Sequence, residues 1–159
     1  MKILIVSDTH RNSDNFFKAL DMEGHVDRVI HAGDVEGEEY LYYKEAGCPV
    51  EIVGGNNDYF SDLPREKEFS IGKYNVFLTH GHYYHVALGY EYLVEEGMSR
   101  DVDIVIFGHT HRPVVEYVDG LTIINPGSLT YPRQQGRRPS YVIMDINASG
   151  EASYEIKYL

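Results

Sequence analysis

Cysteine occurs once, at Cys48. A lone cysteine cannot form an intramolecular disulfide, so the chain suits a reducing compartment. Its expected role is that of a small buried apolar residue. Basic residues are also few. Lys and Arg number 14 against 25 Asp and Glu, a net charge of −11. A surface of that sign repels nucleic-acid phosphates at long range, which disfavours a polynucleotide substrate. It does not exclude one, because bound cations would make a site locally positive. Long apolar runs are missing too. The first covers only residues 3–6 before Ser7 and Asp8, too little for a secretory leader. Nothing approaches the ~20 residues of a membrane span, and a cytoplasmic protein is expected. Repeats, low-complexity segments and linkers are absent, so residues 1–159 read as a single domain. The balance that remains, 43% hydrophobic and 25% charged, is that of a soluble globular protein large enough for a sizeable core.

Apolar and helical segments alternate from the start. Residues 3–6 form a continuous apolar run, suited to a strand covered on both faces. A helix capped by Ser13 or Asp14 runs to about Glu23, puts Phe16, Phe17 and Leu20 on an apolar face, and ends at Gly24. A strand over 26–31, a short helix over 37–46 closed by Gly47 and Pro49, and a strand over 50–53 follow. This β-α-β-α-β beginning predicts a parallel or mixed sheet carrying helices. Strands over 66–71 and 75–79, joined through Gly72, lead to a helix over about 86–100 and a buried strand over 103–107. The last third is β-rich. Segments 114–118 and 121–124 flank Asp119-Gly120, a two-residue hairpin signal. Segments 141–146 and 153–158 flank a longer turn, Asn147 to Gly150. Each half is expected to supply one sheet. Two mixed sheets packed face to face with helices outside give an α/β fold, a four-layer αββα sandwich.

Five short polar motifs stand in order, each at the end of an apolar run. They are Asp8-Thr9-His10, Gly33-Asp34, Gly55-Asn56-Asn57-Asp58, His80-Gly81-His82 and Gly108-His109-Thr110-His111. Taken singly, each is an ordinary turn. Together they bring complementary ligand types to several strand ends, which can converge on one point. Such a cluster would be costly to bury without something to bind. Divalent ions of borderline hardness take imidazole nitrogen and carboxylate oxygen together. Two such ions ~3.5–4 Å apart share a bridging oxygen. Asp8 and His10 are two residues apart, so at an extended strand end both would point the same way and grip one ion. Asp34, beside Gly33, is the candidate bridge, and Asn56 offers an amide oxygen. His80, His109 and His111 add imidazoles. His82 could replace His80 or reach a substrate phosphate; His80 is preferred because it is nearer the strand end. Mn²⁺ is the first expectation for the ions, and Fe²⁺, Co²⁺, Ni²⁺ and Zn²⁺ tolerate the same ligands. Ser7, Ser128 and Cys48 have no base beside them in any motif, so no side-chain nucleophile is expected.

This ordered set resembles the calcineurin-like metallophosphoesterase superfamily. The short length and Asn125-Pro126-Gly127-Ser128 resemble, within it, the small YfcE-type phosphodiesterases of bacteria and archaea. The resemblance spans essentially the whole chain and implies the same αββα sandwich. It implies a dinuclear centre with Asp8 and His10 on one ion, Asp34 bridging, and Asn56 and His80 on the other. His109 would join the second ion and His111 the first. It also implies hydrolysis of small phosphate esters by a metal-bridging hydroxide, and assembly as a homo-oligomer, dimer or tetramer. Many relatives carry His beside the ligand Asn, where it serves the leaving group. Here that position is Asn57, which donates a hydrogen bond but transfers no proton near neutral pH. Asn57 and His82 are the candidates for catalytic contact with the substrate, and Asp58 is expected to orient the loop. A dianionic monoester needs more positive charge around it than a diester, so the acidic chain favours diesters. A phosphomonoesterase or nucleotide hydrolase on the same site is one alternative. A non-catalytic scaffold, like the retromer subunit of this superfamily, is the other.

Other polar groups have plainer expectations. His25 and His85 are expected in solvent, and His31 as a satisfied core histidine. Tyr83 and Tyr84 are candidates to stack on a substrate ring, and Tyr40, Tyr42 and Tyr43 are expected in helix packing and surface. Arg133, Arg137 and Arg138 form the one dense basic cluster. They are expected in a solvated loop, with a grip on substrate phosphate as the alternative. Ligand imidazoles must be deprotonated to bind metal. Activity is therefore expected to fall as pH drops through the low-6 range, near the reference His pKa of ~6.5; a pH–rate profile that stays flat to about pH 4 would contradict the four-histidine set.

Overall fold

Ile3, Leu4, Ile5 and Val6 have no solvent contact at all, and the way they are covered sets the architecture. The computed structural model describes residues 1–159. Strand β1 (Lys2–Val6) pairs in parallel with β2 (Arg28–His31), which pairs in parallel with β3 (Val50–Ile52). On its other side β1 pairs antiparallel with β9 (Ser140–Ile146), and β10 (Ala152–Tyr158) completes the sheet in the order β10-β9-β1-β2-β3. The second sheet holds β4 (Glu66–Ile71), β5 (Tyr74–Thr79), β6 (Ile104–Ile106), β7 (Val114–Val118) and β8 (Leu121–Asn125), in the order β4-β5-β6-β8-β7. Its three inner strands, β5, β6 and β8, are mutually parallel.

Side-chain alternation along β1 divides the core. Ile3 and Ile5 face the other sheet, where they meet Val76, Leu78, Ile104, Ile106 and Ile124. Leu4 and Val6 face outward, under Phe16 and Ala19 of α1 (Asp14–Glu23) and Tyr42 of α2 (Glu39–Glu45). The second sheet repeats the arrangement. Val105, Phe107 and Ile123 pack under Leu93 and Val94 of α3 (Glu91–Ser99). Each fully buried aliphatic side chain contributes about 1.5–3 kcal/mol, so continuous apolar runs are stable only as such two-sided strands. The four layers are the expected αββα sandwich. No helix is long and apolar enough to cross a membrane.

Several expectations are corrected. The two halves do not each supply a sheet: the β9–β10 hairpin returns to the first one. Tyr141 to Met144 are buried on both faces, and only a place beside β1 covers them so. The helix expected over 86–100 is confined to Glu91–Ser99. Residues 85–88 turn after a 3₁₀ segment at His82–Tyr84, and His85 and Gly89 take positive φ. Val86 is buried while Leu88 is 93% exposed, so the apolar residues here share no helical face. The expected helix over 37–46 begins only at Glu39, since Gly37 lies at φ 89°. Ser13 precedes α1 without capping it; its hydroxyl donates to Glu38 Oε2 at 2.6 Å, and Tyr42 Oη lies 3.2 Å away. Cys48 is only half-buried. The Asp119-Gly120 turn is as expected, with both residues at positive φ.

Gly97 marks a close approach of α3 to its sheet. A methyl group there would lie 2.7 Å from Val105 Cγ2 and 3.0 Å from Leu121 Cδ1. Gly97→Ala gains up to about 1 kcal/mol of helix propensity, but overpacking of this kind typically costs about 1–3 kcal/mol. The stiff Val105 side chain on a central strand cannot yield cheaply. Net destabilisation is expected, read as a lowered unfolding midpoint of metal-free protein in urea; an unchanged or higher midpoint would refute this account of the packing.

Candidate metal centre

The five motifs follow β1, β2, β3, β5 and β6, all parallel within their sheets. Their carboxyl ends meet at one edge of the sandwich, the usual place for a site in such sheets. The loops are stitched to one another there. Asp8 N–H donates to the Gly33 carbonyl at 3.0 Å, His10 N–H to that of Asp34 at 2.9 Å, and Gly108 N–H to that of His80 at 3.2 Å. Asp8, His10, Asp34, His109 and His111 all have φ between +47° and +67°. Asp8 and His10 thus converge through left-handed turns, not through the two-residue repeat of an extended strand. Each such residue costs of order 1–3 kcal/mol and persists only where its surroundings over-determine it. Gly33 and Gly55 permit the crowding: a Cβ on Gly33 would lie 2.7 Å from His80 Nδ1, and one on Gly55 would collide with the Asp34 carboxylate.

All seven expected ligand residues come together. His111 Nε2 lies 3.0 Å from Asp8 Oδ1 and 3.3 Å from His10 Nε2. His80 Nε2 lies 3.4 Å from Asp34 Oδ2 and 3.1 Å from Asn56 Oδ1, and His109 Nδ1 lies 2.8 Å from that amide oxygen. Asp34 Oδ2 is also 3.9 Å from His10 Nε2, so it stands between the two clusters. Asp8, His10 and His111 form one compact donor group, and Asp8, Asp34 and His80 a second. Asp8 Oδ1 is buried and receives no well-directed hydrogen bond despite its close neighbours. An orphaned anionic oxygen among imidazole nitrogens suits the donor set of a divalent cation.

Three imidazoles are turned for that purpose. Nδ1 of His80 lies 2.7 Å from the Ala32 carbonyl, that of His10 2.6 Å from Glu36 Oε1, and that of His111 2.7 Å from the Tyr131 carbonyl. These oxygens only accept, so each Nδ1 carries the hydrogen and each Nε2 faces the centre, the arrangement typical of metal-binding histidine. Burial would raise the Asp8 and Asp34 carboxyls, but neighbouring imidazoles outweigh it and hold both below their ordinary value, Asp34 strongly so. His80 answers them. Burial alone would lower its pKa, yet Asp34 and Asp8 push it up to about 9. Without metal, a proton on His80 supplies the positive charge that the carboxylates demand.

The remaining motif residues brace this arrangement. The Asp58 carboxylate accepts from the N–H groups of Asp34 (2.8 Å), Glu36 (2.5 Å) and Gly55 (2.7 Å). Asn57 donates from its backbone to Asp34 Oδ1 at 2.8 Å and from its side chain to Oδ2 at 2.7 Å. His82 lies beside the cluster, its ring 5.4 Å from that of His80. Burial, and then the charge of His80, pull its pKa down to about 4, and its Nδ1 has no partner. Asn125 donates to the Gly108 carbonyl at 2.7 Å, and Ser128 Oγ to that of Asp8 at 2.7 Å. His31 is the satisfied core residue expected, 3.0 Å from Thr9 Oγ1, with burial lowering its pKa to about 4. His25 and His85 are exposed. Tyr42 is buried, whereas Tyr40 and Tyr43 are exposed. Tyr84 donates to Glu66 at 2.6 Å, and Tyr83 lies under the Arg65 guanidinium at 5.0 Å. Glu36 was not among the expected site residues; nothing in its local sequence marks it, since its partner His10 is 26 residues away.

Known proteins resemble this chain in sequence and fold. A probable metallophosphoesterase of Methanothermobacter thermautotrophicus is 34% identical over 152 residues, 92% of this chain and 87% of that one. The phosphodiesterase MJ0936 of Methanocaldococcus jannaschii is 33% identical over 144 residues, 80% of this chain and 83% of its own. Vps29 of Entamoeba histolytica, solved as a Zn²⁺ complex, superposes with a TM-score of 0.77 at 25% identity over 99% of each chain. YfcE, a phosphoesterase from E. coli, shares the fold with a TM-score of 0.68 at 22% identity over 98% of each. Residues 1–149 match the calcineurin-like phosphoesterase superfamily domain, and with this fold and these donors the chain belongs to that superfamily of metal-dependent phosphoester hydrolases.

Proposed function

We propose that this chain is a dinuclear phosphodiesterase of the YfcE type acting on small esters in a reducing, cytoplasmic setting. The observation that carries the proposal is the set of imidazoles anchored through Nδ1 around the orphaned Asp8 oxygen. Asp8, His10 and His111 would hold one ion, Asn56, His80 and His109 the other, with Asp34 between them. Mn²⁺ is the first choice of metal. When bound, divalent ions lower the pKa of water and offset charge on phosphoryl oxygens. The chain itself supplies position. Asn57 keeps the Asp34 carboxylate oriented and has no proton to give, so substrates with good leaving groups are favoured. His82 is neutral near pH 7 and can hydrogen-bond to the substrate but not act as its acid. Two cavities flank the centre, of about 380 Å³ beside His109 and about 340 Å³ beside Asn56 and His82. A diester has two substituents to place in them, and a monoester has one.

Chelator-stripped protein is expected not to hydrolyse bis-p-nitrophenyl phosphate, and added Mn²⁺ to restore turnover. Asp34→Asn is expected to lower kcat/KM by roughly 100-fold or more. Turnover that survives both treatments would overturn the metal mechanism. Rates on p-nitrophenyl phosphate well above those on the diester would move the reading to a monoesterase. No hydrolysis of either ester with any of Mn²⁺, Fe²⁺, Co²⁺, Ni²⁺ or Zn²⁺ would favour a scaffold, the likeness to Vps29 then being functional.

Glu36→Ala removes the acceptor that orients His10 and is expected to weaken metal affinity or activity ~10–100-fold. Excess Mn²⁺ should recover much of the loss if affinity is what suffers; a loss below twofold would show that His10 needs no such support.

Protons must leave as metal arrives. His80 keeps its proton up to about pH 9 in the metal-free protein, so metal uptake at pH 7.5 should release one and affinity should fall as pH falls. Calorimetric titration in two buffers of different ionisation enthalpy measures the number released. A value near zero would refute this exchange of proton for metal at His80.

A further inference from the structure

The chain carries far more acid than base, yet three arginines beside the centre have no acidic partner. Most other cations are engaged: Arg100 meets Glu66, Glu68 and Glu96, and Lys157 meets Glu23 and Glu155. Arg138, in the same basic stretch, leans on the carbonyls of Tyr158 and Leu159 and over the Tyr158 ring. Arg112, Arg133 and Arg137 pair with no carboxylate. They line one open cavity of about 610 Å³ with Thr130 and Tyr131.

This cavity adjoins the proposed metal centre. Arg112 follows His111 directly, and the Arg133 N–H donates to the His111 carbonyl at 3.0 Å. The Tyr131 carbonyl receives His111 Nδ1–H at 2.7 Å, and its ring lies 5.2 Å from that of His10. The supporting loop is tied down: Ser128 Oγ accepts the N–H groups of Thr130 and Tyr131, and Thr130 Oγ1 donates to the Thr9 carbonyl at 2.8 Å. Arg112 and Arg133 also line the 380 Å³ cavity that reaches His109, whose other wall is apolar, with Val86, Leu88 and Phe107. Arginine side chains thus line two cavities next to the centre, one of them with an apolar wall. Guanidinium groups bind phosphate in bidentate fashion.

We propose that the preferred substrate is a small phosphodiester carrying a second phosphate, held by Arg112, Arg133 and Arg137 while the scissile phosphate lies at the metals. The binding site stands on its own geometry; its role in substrate choice rests on the diesterase reading above. Two measurements separate them. The first is calorimetric titration of metal-free protein with inorganic pyrophosphate, so that no bound cation can hold the anion at the centre. One site is expected, weakened at least about tenfold by Arg112→Ala/Arg133→Ala and by added salt, with the variant's unfolding midpoint checked by circular dichroism. Undetectable binding, or equal binding by the variant, overturns the site. The second compares Mn²⁺-loaded protein on the 5′-p-nitrophenyl esters of thymidine 5′-phosphate with and without a 3′-phosphate, which differ only in that group. A kcat/KM ratio of about ten or more, collapsing towards one in the double variant, is expected. A ratio near one with brisk turnover overturns the substrate proposal and leaves the diesterase intact. Absence of turnover on both with Mn²⁺, Fe²⁺, Co²⁺, Ni²⁺ and Zn²⁺ in turn, with pyrophosphate binding retained, defeats the diesterase reading and leaves the anion site.

Discussion

Two carboxylates taken out of water within reach of four imidazoles create a demand for positive charge, and much of the structure serves to maintain that demand. Asp8 is fully buried and Asp34 nearly so. Neither meets a lysine or arginine; both meet histidine. A buried carboxylate without a partner is among the costliest groups in a protein. Here the deficit falls to a proton on His80 when no ion is bound, and divalent cations can take its place. The sandwich makes this affordable by directing parallel strands of both sheets to one edge, so that rigid pairing fixes where each loop starts.

A second tier of residues fixes the direction of each donor. Asp58 gathers backbone amides from two loops and holds the Asp34 turn in its left-handed form. Asn125 and Ser128 do the same from beneath, tying the Gly108 and Asp8 turns to the end of β8. Glu36, Ala32 and Tyr131 set the histidine tautomers. Strained backbone at the donors is thus offset by hydrogen bonds at residues that hold no metal themselves.

Much of this was legible in the sequence because its informative features are local. The apolar runs forecast two-sided strands, and short motifs of complementary chemistry named the donor residues that the fold brings together. What could not be read was non-local. The pairing of β9 with β1 depends on a contact between opposite ends of the chain, and no spacing announces it. Glu36 and its histidine meet only after β2 folds beside β1. The segment around Val86 and Leu88 has helix-like composition, but its two apolar residues serve different surroundings, one the core and the other a cavity rim. The left-handed turns at Asp8 and His10 escaped too, because a residue's spacing does not reveal its φ.

The placement of β1 has a consequence for synthesis. This strand emerges from the ribosome well before β9, yet one of its two edges is covered only when Ser140–Ile146 arrives. Until then a fully apolar strand can be closed on the β2 side alone, with open backbone donors and acceptors along the other. The first sheet, and with it the donor loops that hang from β1 and β2, reaches its final form only after β9 and β10 have been translated. Nascent chains halted before β9 therefore present a sticky edge to one another and to chaperones.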